Sequence, residues 1–78
     1  MKTNALPALF TASSHRYRAS AAERRLYGGA TVTVFLVGEV GSHASTWLEV
    51  KGYGPTPGQR ATDAKQRYRG LMLAAVRS

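Results

Sequence analysis

Apolar residues recur along this chain in two rhythms, and each predicts a different element. From residue 61 onward, Ala61, Ala64, Tyr68, Leu71, Met72 and Ala75 return at spacings of three and four, which draws one apolar stripe along a helix. Thr56-Pro57-Gly58-Gln59 opens that stretch. Thr at the N-cap, Pro at the first helical position and Gln at N3 make a capping box with a favoured first residue. The pattern predicts a helix over 57–76 with Ala64, Tyr68, Leu71 and Ala75 against a core, so that Leu71→Ala costs about 2–5 kcal/mol. Asp63 and Arg67 form an i,i+4 pair on its surface, an arrangement that adds little stability.

The middle of the chain follows the other rhythm. Residues 31–40 are rich in β-branched side chains and residues 46–53 alternate, which predicts a β-hairpin within 30–54. Gly41 to Ser45 connects the two runs. With an odd loop, Val32, Val34, Leu36, Val40, Leu48 and Val50 share one face, for the helix to cover. Phe35, Val37, Glu39, Trp47, Glu49, Lys51 and Tyr53 share the other. A one-residue slip would mix the two sets, so burial is expected to hold this register.

Residues 1–29 form a basic N-terminal segment. Ser20 with Glu23 is a second capping box and Gly28-Gly29 a C-cap, predicting a short helix from Ala21 to Tyr27 that packing must hold in place. Stretches 6–12 and 15–18 are each candidate edge strands, where Pro7 is tolerated. The whole predicts one α+β domain over 1–78: a small antiparallel β-sheet, a long amphipathic C-terminal helix packed on one face and a short N-terminal helix. A domain of this length buries only about 60% of its unfolded surface, so its core is thin.

Charge changes the picture next. The net charge is +7, and it is unevenly placed. Arg16, Arg18, Arg24 and Arg25 form one cluster, offset by Glu23; Arg60, Lys65, Arg67, Arg69 and Arg77 form another, offset by Asp63. Lys51 is the only base between Gly28 and Gly58. Such clustering is the electrostatic footprint of a partner that carries negative charge. On the predicted helix, Arg60 and Arg67 flank one edge of the stripe and Lys65 and Arg69 the other. One flat partner reaches only one of these pairs.

Catalytic constellations are not expected. His15 and His43 are the only histidines, and an adjacent Ser42-His43 pair does not make a nucleophile with an oriented base. Glu39 and Glu49 read as solvated or paired with Lys51, not as an acid–base pair. Neither metal-ligand spacing nor a cofactor motif is present: the glycine-rich run Gly52 to Gly58 matches no phosphate-loop fingerprint, and reads as a stiff connection into the helix. The chain contains no cysteine, which fits a reducing cytoplasm. Met1 to Pro7 is too short and too interrupted for a signal peptide, and Ala30 to Val40 is too short for a membrane span. Trp47, Tyr53 and Phe35 would form a stacking platform for unpaired bases if their shared face were open. The N-terminal apolar residues are expected to cover Trp47 at least in part.

Two resemblances follow from these residues. The order of sheet, glycine turn and basic helix resembles the last part of double-stranded RNA-binding domains, with Ala64-Lys65 matching the family's ending. That family's paired lysines are absent and Asp63 stands beside the match. In size and style, as a cysteine-free α+β domain with no catalytic constellation, the chain is similar to the small anti-CRISPR proteins that phages encode. That class has no shared motif, and many of its members are acidic. The resemblance implies a non-enzymatic inhibitor or accessory protein in the host cytoplasm, docked on a nucleoprotein complex and blocking its access to DNA. The expected contacts are Arg60, Lys65, Arg67 and Arg69, extended by Arg16, Arg18, Arg24 and Arg25, onto an acidic protein surface or nucleic acid, with no membrane partner. A direct, sequence-nonspecific nucleic-acid-binding protein and a small structural component of a ribonucleoprotein or virion are the alternatives.

Overall fold

Local signals end where the capping residues place them. The computed structural model describes residues 6–77, which fold in the order β1 (Leu9–Arg18), α1 (Ala21–Tyr27), β2 (Thr31–Glu39), a single 3-10 turn (Ala44–Thr46), β3 (Leu48–Gly52) and α2 (Pro57–Arg77). The first five residues of the N-terminal segment lie outside that range. Ser20 accepts from the Glu23 backbone N–H and the Glu23 carboxylate accepts from the Ser20 N–H, so α1 carries both halves of its capping box. At α2 the Thr56 hydroxyl accepts from the Gln59 N–H at 3.2 Å and donates to the Gln59 side-chain carbonyl at 3.0 Å.

The strands form one antiparallel sheet in the order β1-β2-β3, with α2 laid across one face: the α+β architecture that the patterns predict. The two candidate edge stretches join into the single strand β1. A bulge at Ser14 interrupts it, because Ser13 pairs with Phe35 while His15 pairs with Val34.

The hairpin register differs from the expected one. β2 ends at Glu39 and β3 begins at Leu48, and Phe35 pairs with Val50 and Val37 with Leu48. Paired residues share a face, so Phe35, Val37, Leu48 and Val50 lie together beneath α2. The other face carries Val32, Val34 and Leu36 opposite Lys51 and Glu49. The longer connection arises because His43 caps the 3-10 turn, its Nδ1 accepting from the Ser45 N–H at 3.1 Å. β2 is central and buried on both faces, with Val32 and Val34 as covered as Phe35 and Val37. Burial therefore favoured neither parity.

The core comprises Leu9, Phe35, Val37, Val50, Ala64 and Tyr68, with Leu48 and Ala61 at its margin. The α2 stripe holds only as far as Tyr68; Leu71 is 52% exposed and Ala75 is exposed too. Length explains the correction. Counted from the level where Arg60 meets Thr33, β2 runs on to Glu39, about 20 Å at strand rise. Over the same direction α2 runs on to Arg77, about 26 Å at helix rise. The helix outruns its sheet, and the described strands stop short of its last turns. Leu71→Ala is accordingly expected to cost less than about 1 kcal/mol in a urea titration, within the range of surface changes. A loss of 2 kcal/mol or more would mean that Leu71 is buried after all.

Candidate polyanion-binding face

The folded chain sorts its bases into those used internally and those presented outward. Arg60 is internal: it is 6% exposed, its Nε donates to the Thr33 hydroxyl at 2.9 Å and its Nη1 to the Gly54 carbonyl at 3.0 Å. It leaves the expected contact set, because a side chain buried between α2 and β2 cannot reach a partner. Arg67 is half internal. Its Nε pairs with Asp63 at 2.7 Å, and its guanidinium lies over the rings of Tyr27 and Tyr53 at 4.9 and 4.6 Å. The Asp63 hydrogen bond, resisted by partial burial, raises the Arg67 pKa further. Arg24 leans back to donate to the Ala19 carbonyl at 2.7 Å.

Lys65 and Arg69 stand on the opposite flank of α2. Arg67, Gly70 and Leu71 line a shallow groove with β3 residues Glu49, Val50 and Lys51. Arg69, Met72 and Leu73 line a separate cavity with Leu6, Pro7 and Leu9 at the start of β1. Arg69 Nη2 donates to the Pro7 carbonyl at 3.1 Å, and Lys65, one turn earlier, shares that side. The two expected helix edges are thus unequal: one is tied up by Thr33, Gly54 and Asp63, and the other faces β1.

The bulge at Ser14 supplies the rest of the face. Before it, Leu9, Thr11 and Ser13 share the α2 side of β1; after it the alternation inverts, as an extra residue in a strand requires. Arg16 now pairs with Thr33 and Arg18 with Thr31. Thr33 turns its hydroxyl to Arg60 on α2, so Arg16 and Arg18 project from the sheet face that α2 occupies. They are exposed. Without the bulge those positions would carry His15 and Tyr17. The face therefore gathers Arg16 and Arg18 from β1 with Lys65 and Arg69 from α2, while Arg24 and Arg25 stand on α1 at the β1 end.

The inversion also sends Tyr17 to the opposite face, where a polar cluster pins α1. Tyr17 donates to Glu23 Oε2 at 2.7 Å and Tyr53 does so at 3.4 Å. Tyr27 stacks on Tyr53 with centroids 4.0 Å apart, and Lys51 Nζ sits 5.5 Å from the Tyr17 ring centre. The Ser20 backbone N–H and then the Tyr17 hydroxyl hold the Glu23 carboxyl below its ordinary pKa. Contact with Tyr17 raises that of Lys51. Burial raises that of Tyr53. Asp63 joins the cluster by accepting from the Tyr53 backbone N–H at 2.8 Å. Nothing in the chain's periodicity pointed to this cluster. The spacing of Tyr17 to Glu23 across a capping box was the one available hint.

The expected aromatic platform is not assembled. Phe35 is buried under α2, whereas Trp47 packs edge-on against Phe10 at 4.8 Å on the other face, over Gly38. Trp47 is thus partly covered by the N-terminal strand, as expected, and its indole N–H donates to the Ser42 hydroxyl at 3.1 Å. Tyr53 is taken up by Tyr27 and Arg67. Ser42 and His43 both serve the connection: the Ser42 hydroxyl donates to the Glu39 carbonyl at 2.7 Å, and His43 caps the 3-10 turn. Glu39 and Glu49 lie on opposite faces of the sheet, since Glu49 pairs with Leu36 and Glu39 with Leu9. No group of three or more His, Cys, Asp or Glu among the described residues could hold a metal ion, and no described helix is long and apolar enough to cross a membrane. Comparison with protein-family models, with curated proteins and with solved structures yields no significant match.

Proposed function

We propose that this protein is a non-enzymatic binding protein that docks the face formed by Arg16, Arg18, Lys65 and Arg69 onto the phosphate backbone of a nucleoprotein complex. In that position it blocks the complex's access to DNA, an inhibitor or accessory role of the anti-CRISPR kind exercised in the cytoplasm. One observation carries the reading: the bulge and the helix register bring bases from both sequence clusters to one sheet face, and none of these four forms an ion pair among the described residues. Bases already paired to carboxylates would have to be released before binding; these need not be. The backbone is favoured over unpaired bases because the three candidate stacking rings, Phe35, Trp47 and Tyr53, are engaged by the fold, and stacking on exposed rings is what retains single strands.

Fluorescence anisotropy with random-sequence duplex and single-stranded DNA and RNA tests this. Duplex binding is expected, with log K falling against log salt at a slope of about −3.6 for four phosphate contacts. Arg16→Glu, Arg18→Glu and Lys65→Glu should each flatten that slope by about 0.9 or more, with little change in melting temperature, since exposed charges contribute little to folding. Preference for single strands would refute the backbone reading. Silence towards every nucleic acid, with charge-dependent capture of an acidic protein, would replace nucleic acid as the partner.

A further inference from the structure

The overrunning end of α2 plays no part in the basic face, and it is the least explained surface of the molecule. From Leu71 to Val76 every residue is apolar, and Leu71, Leu73 and Val76 are 52%, 52% and 83% exposed. These side chains point around the whole circumference of the helix. A helix that is apolar on every side belongs in an interior, yet here Leu71, Leu73 and Val76 stand largely open to solvent. Beside it lies a receptacle. Leu6, Pro7, Leu9, Tyr68 and Met72, with Arg69 at one side, line a cavity of about 230 Å³ that is open to solvent.

We propose that a second copy of this chain covers this face, in a two-fold dimer in which Val76 of each copy enters the cavity of the other. Two arguments select that occupant. Knob and cavity occupy one continuous patch, with Val76 at the cavity's own rim, and a two-fold axis through such a patch satisfies both halves at once, because the interface is isologous. Charge then sets the orientation. Glu39 lines the cavity, and its carboxylate makes no ion pair among the described residues. Arg77 adjoins Val76, is exposed and makes no ion pair among the described residues. An antiparallel approach of the two helix ends brings Arg77 of each copy towards Glu39 of the other. A nucleic acid offers nothing apolar to fill the cavity. The dimer sets two basic faces side by side, so it goes beyond the proposed binding reading without depending on it.

Light scattering coupled to size exclusion, at protein concentrations of about 100 µM, where a dimer of micromolar dissociation constant is populated, reads the result directly. The expected mass is twice the 8.4 kDa of the chain. Leu73→Asp and Val76→Asp should each raise the dimer dissociation constant about 30-fold or more, the scale of a central anchor. Both positions are exposed in the single copy, so the variants keep the helical circular dichroism of the wild type. Glu39→Arg should dissociate the dimer, and Arg77→Glu in the same chain should restore it. A single-copy mass for the wild type overturns the proposal, as does a dimer indifferent to Leu73→Asp and Val76→Asp. A wild type that stays single and binds neutral lipid vesicles through Val76 also overturns it, and assigns the patch to a membrane surface. Loss of nucleic-acid binding in Arg16→Glu with the dimer intact separates the two proposals.

Discussion

One methyl group added at Gly52 is expected to bring most of this protein close to unfolding. Gly52 ends β3 at the point where α2 crosses it, and a Cβ built there collides with the carbonyl oxygen of Arg60 and comes within 2.9 Å of both the Arg60 carbonyl carbon and the Phe35 ring. The obstruction is helix backbone, which cannot rotate aside as a side chain would. Relief requires lifting the first turns of α2 off the sheet, and those turns hold Ala64 and Tyr68 in the core. Overpacking of this kind costs about 1–3 kcal/mol where neighbours adjust, and more where they cannot. A domain of this length has about 4–12 kcal/mol in all, so a loss of 3 kcal/mol or more at Gly52→Ala is a large share. Gly58→Ala is the internal control: it stands in the first turn of α2 with no atom within 4 Å of its Cβ, and should be neutral or slightly stabilising. Equal urea midpoints for the two variants would contradict the close crossing.

How far the fold was legible depends on where each signal resides. Helix ends are local, so Ser20 with Glu23 and Thr56 with Gln59 marked α1 and the start of α2 within a residue. Strand existence is nearly as local, being carried by β-branched runs. Register is not. Residues 34–37 are apolar at both parities, because β2 is covered by α2 on one face and by the tyrosine cluster side on the other. A pattern that works only when one face is wet had nothing to report there. The stripe of α2 misled for a related reason: periodicity says which side of a helix is apolar, but not where the sheet beneath it stops.

The candidate face divides in the same way. That Arg16, Arg18, Lys65 and Arg69 are basic is plain from composition, and their separation by almost fifty residues hides that they share a surface. Ser13-Ser14-His15 gives no sign of which residue bulges, yet the bulge decides whether Arg16 or Tyr17 faces α2. Arg60 is the converse case. Its charge announces a surface residue, and only the distant Thr33, 27 residues away in sequence, makes it an interior one.

That contrast yields the second large effect, at Arg60 itself. Arg60→Ala is expected to cost about 3–5 kcal/mol, since it deletes a packed side chain and leaves the Thr33 hydroxyl and the Gly54 carbonyl without their donor; each buried orphan costs about 1–3 kcal/mol. Arg60→Met keeps much of the volume and should cost less. Arg60→Lys has the charge but not the fork that spans both acceptors, and should resemble the Met variant more than the wild type. A double-mutant cycle isolates the bond. With Thr33→Val, the loss from Arg60→Met should shrink, because one orphaned group has been removed with its partner. The same variants separate an internal role from a binding one. Arg60→Met, held folded at low temperature, is expected to bind duplex with the wild-type salt slope, since no phosphate contact has been removed. A variant that kept its urea midpoint and lost a unit of salt slope would place Arg60 on the outside of the molecule, and the unequal edges of α2 would have to be assigned again.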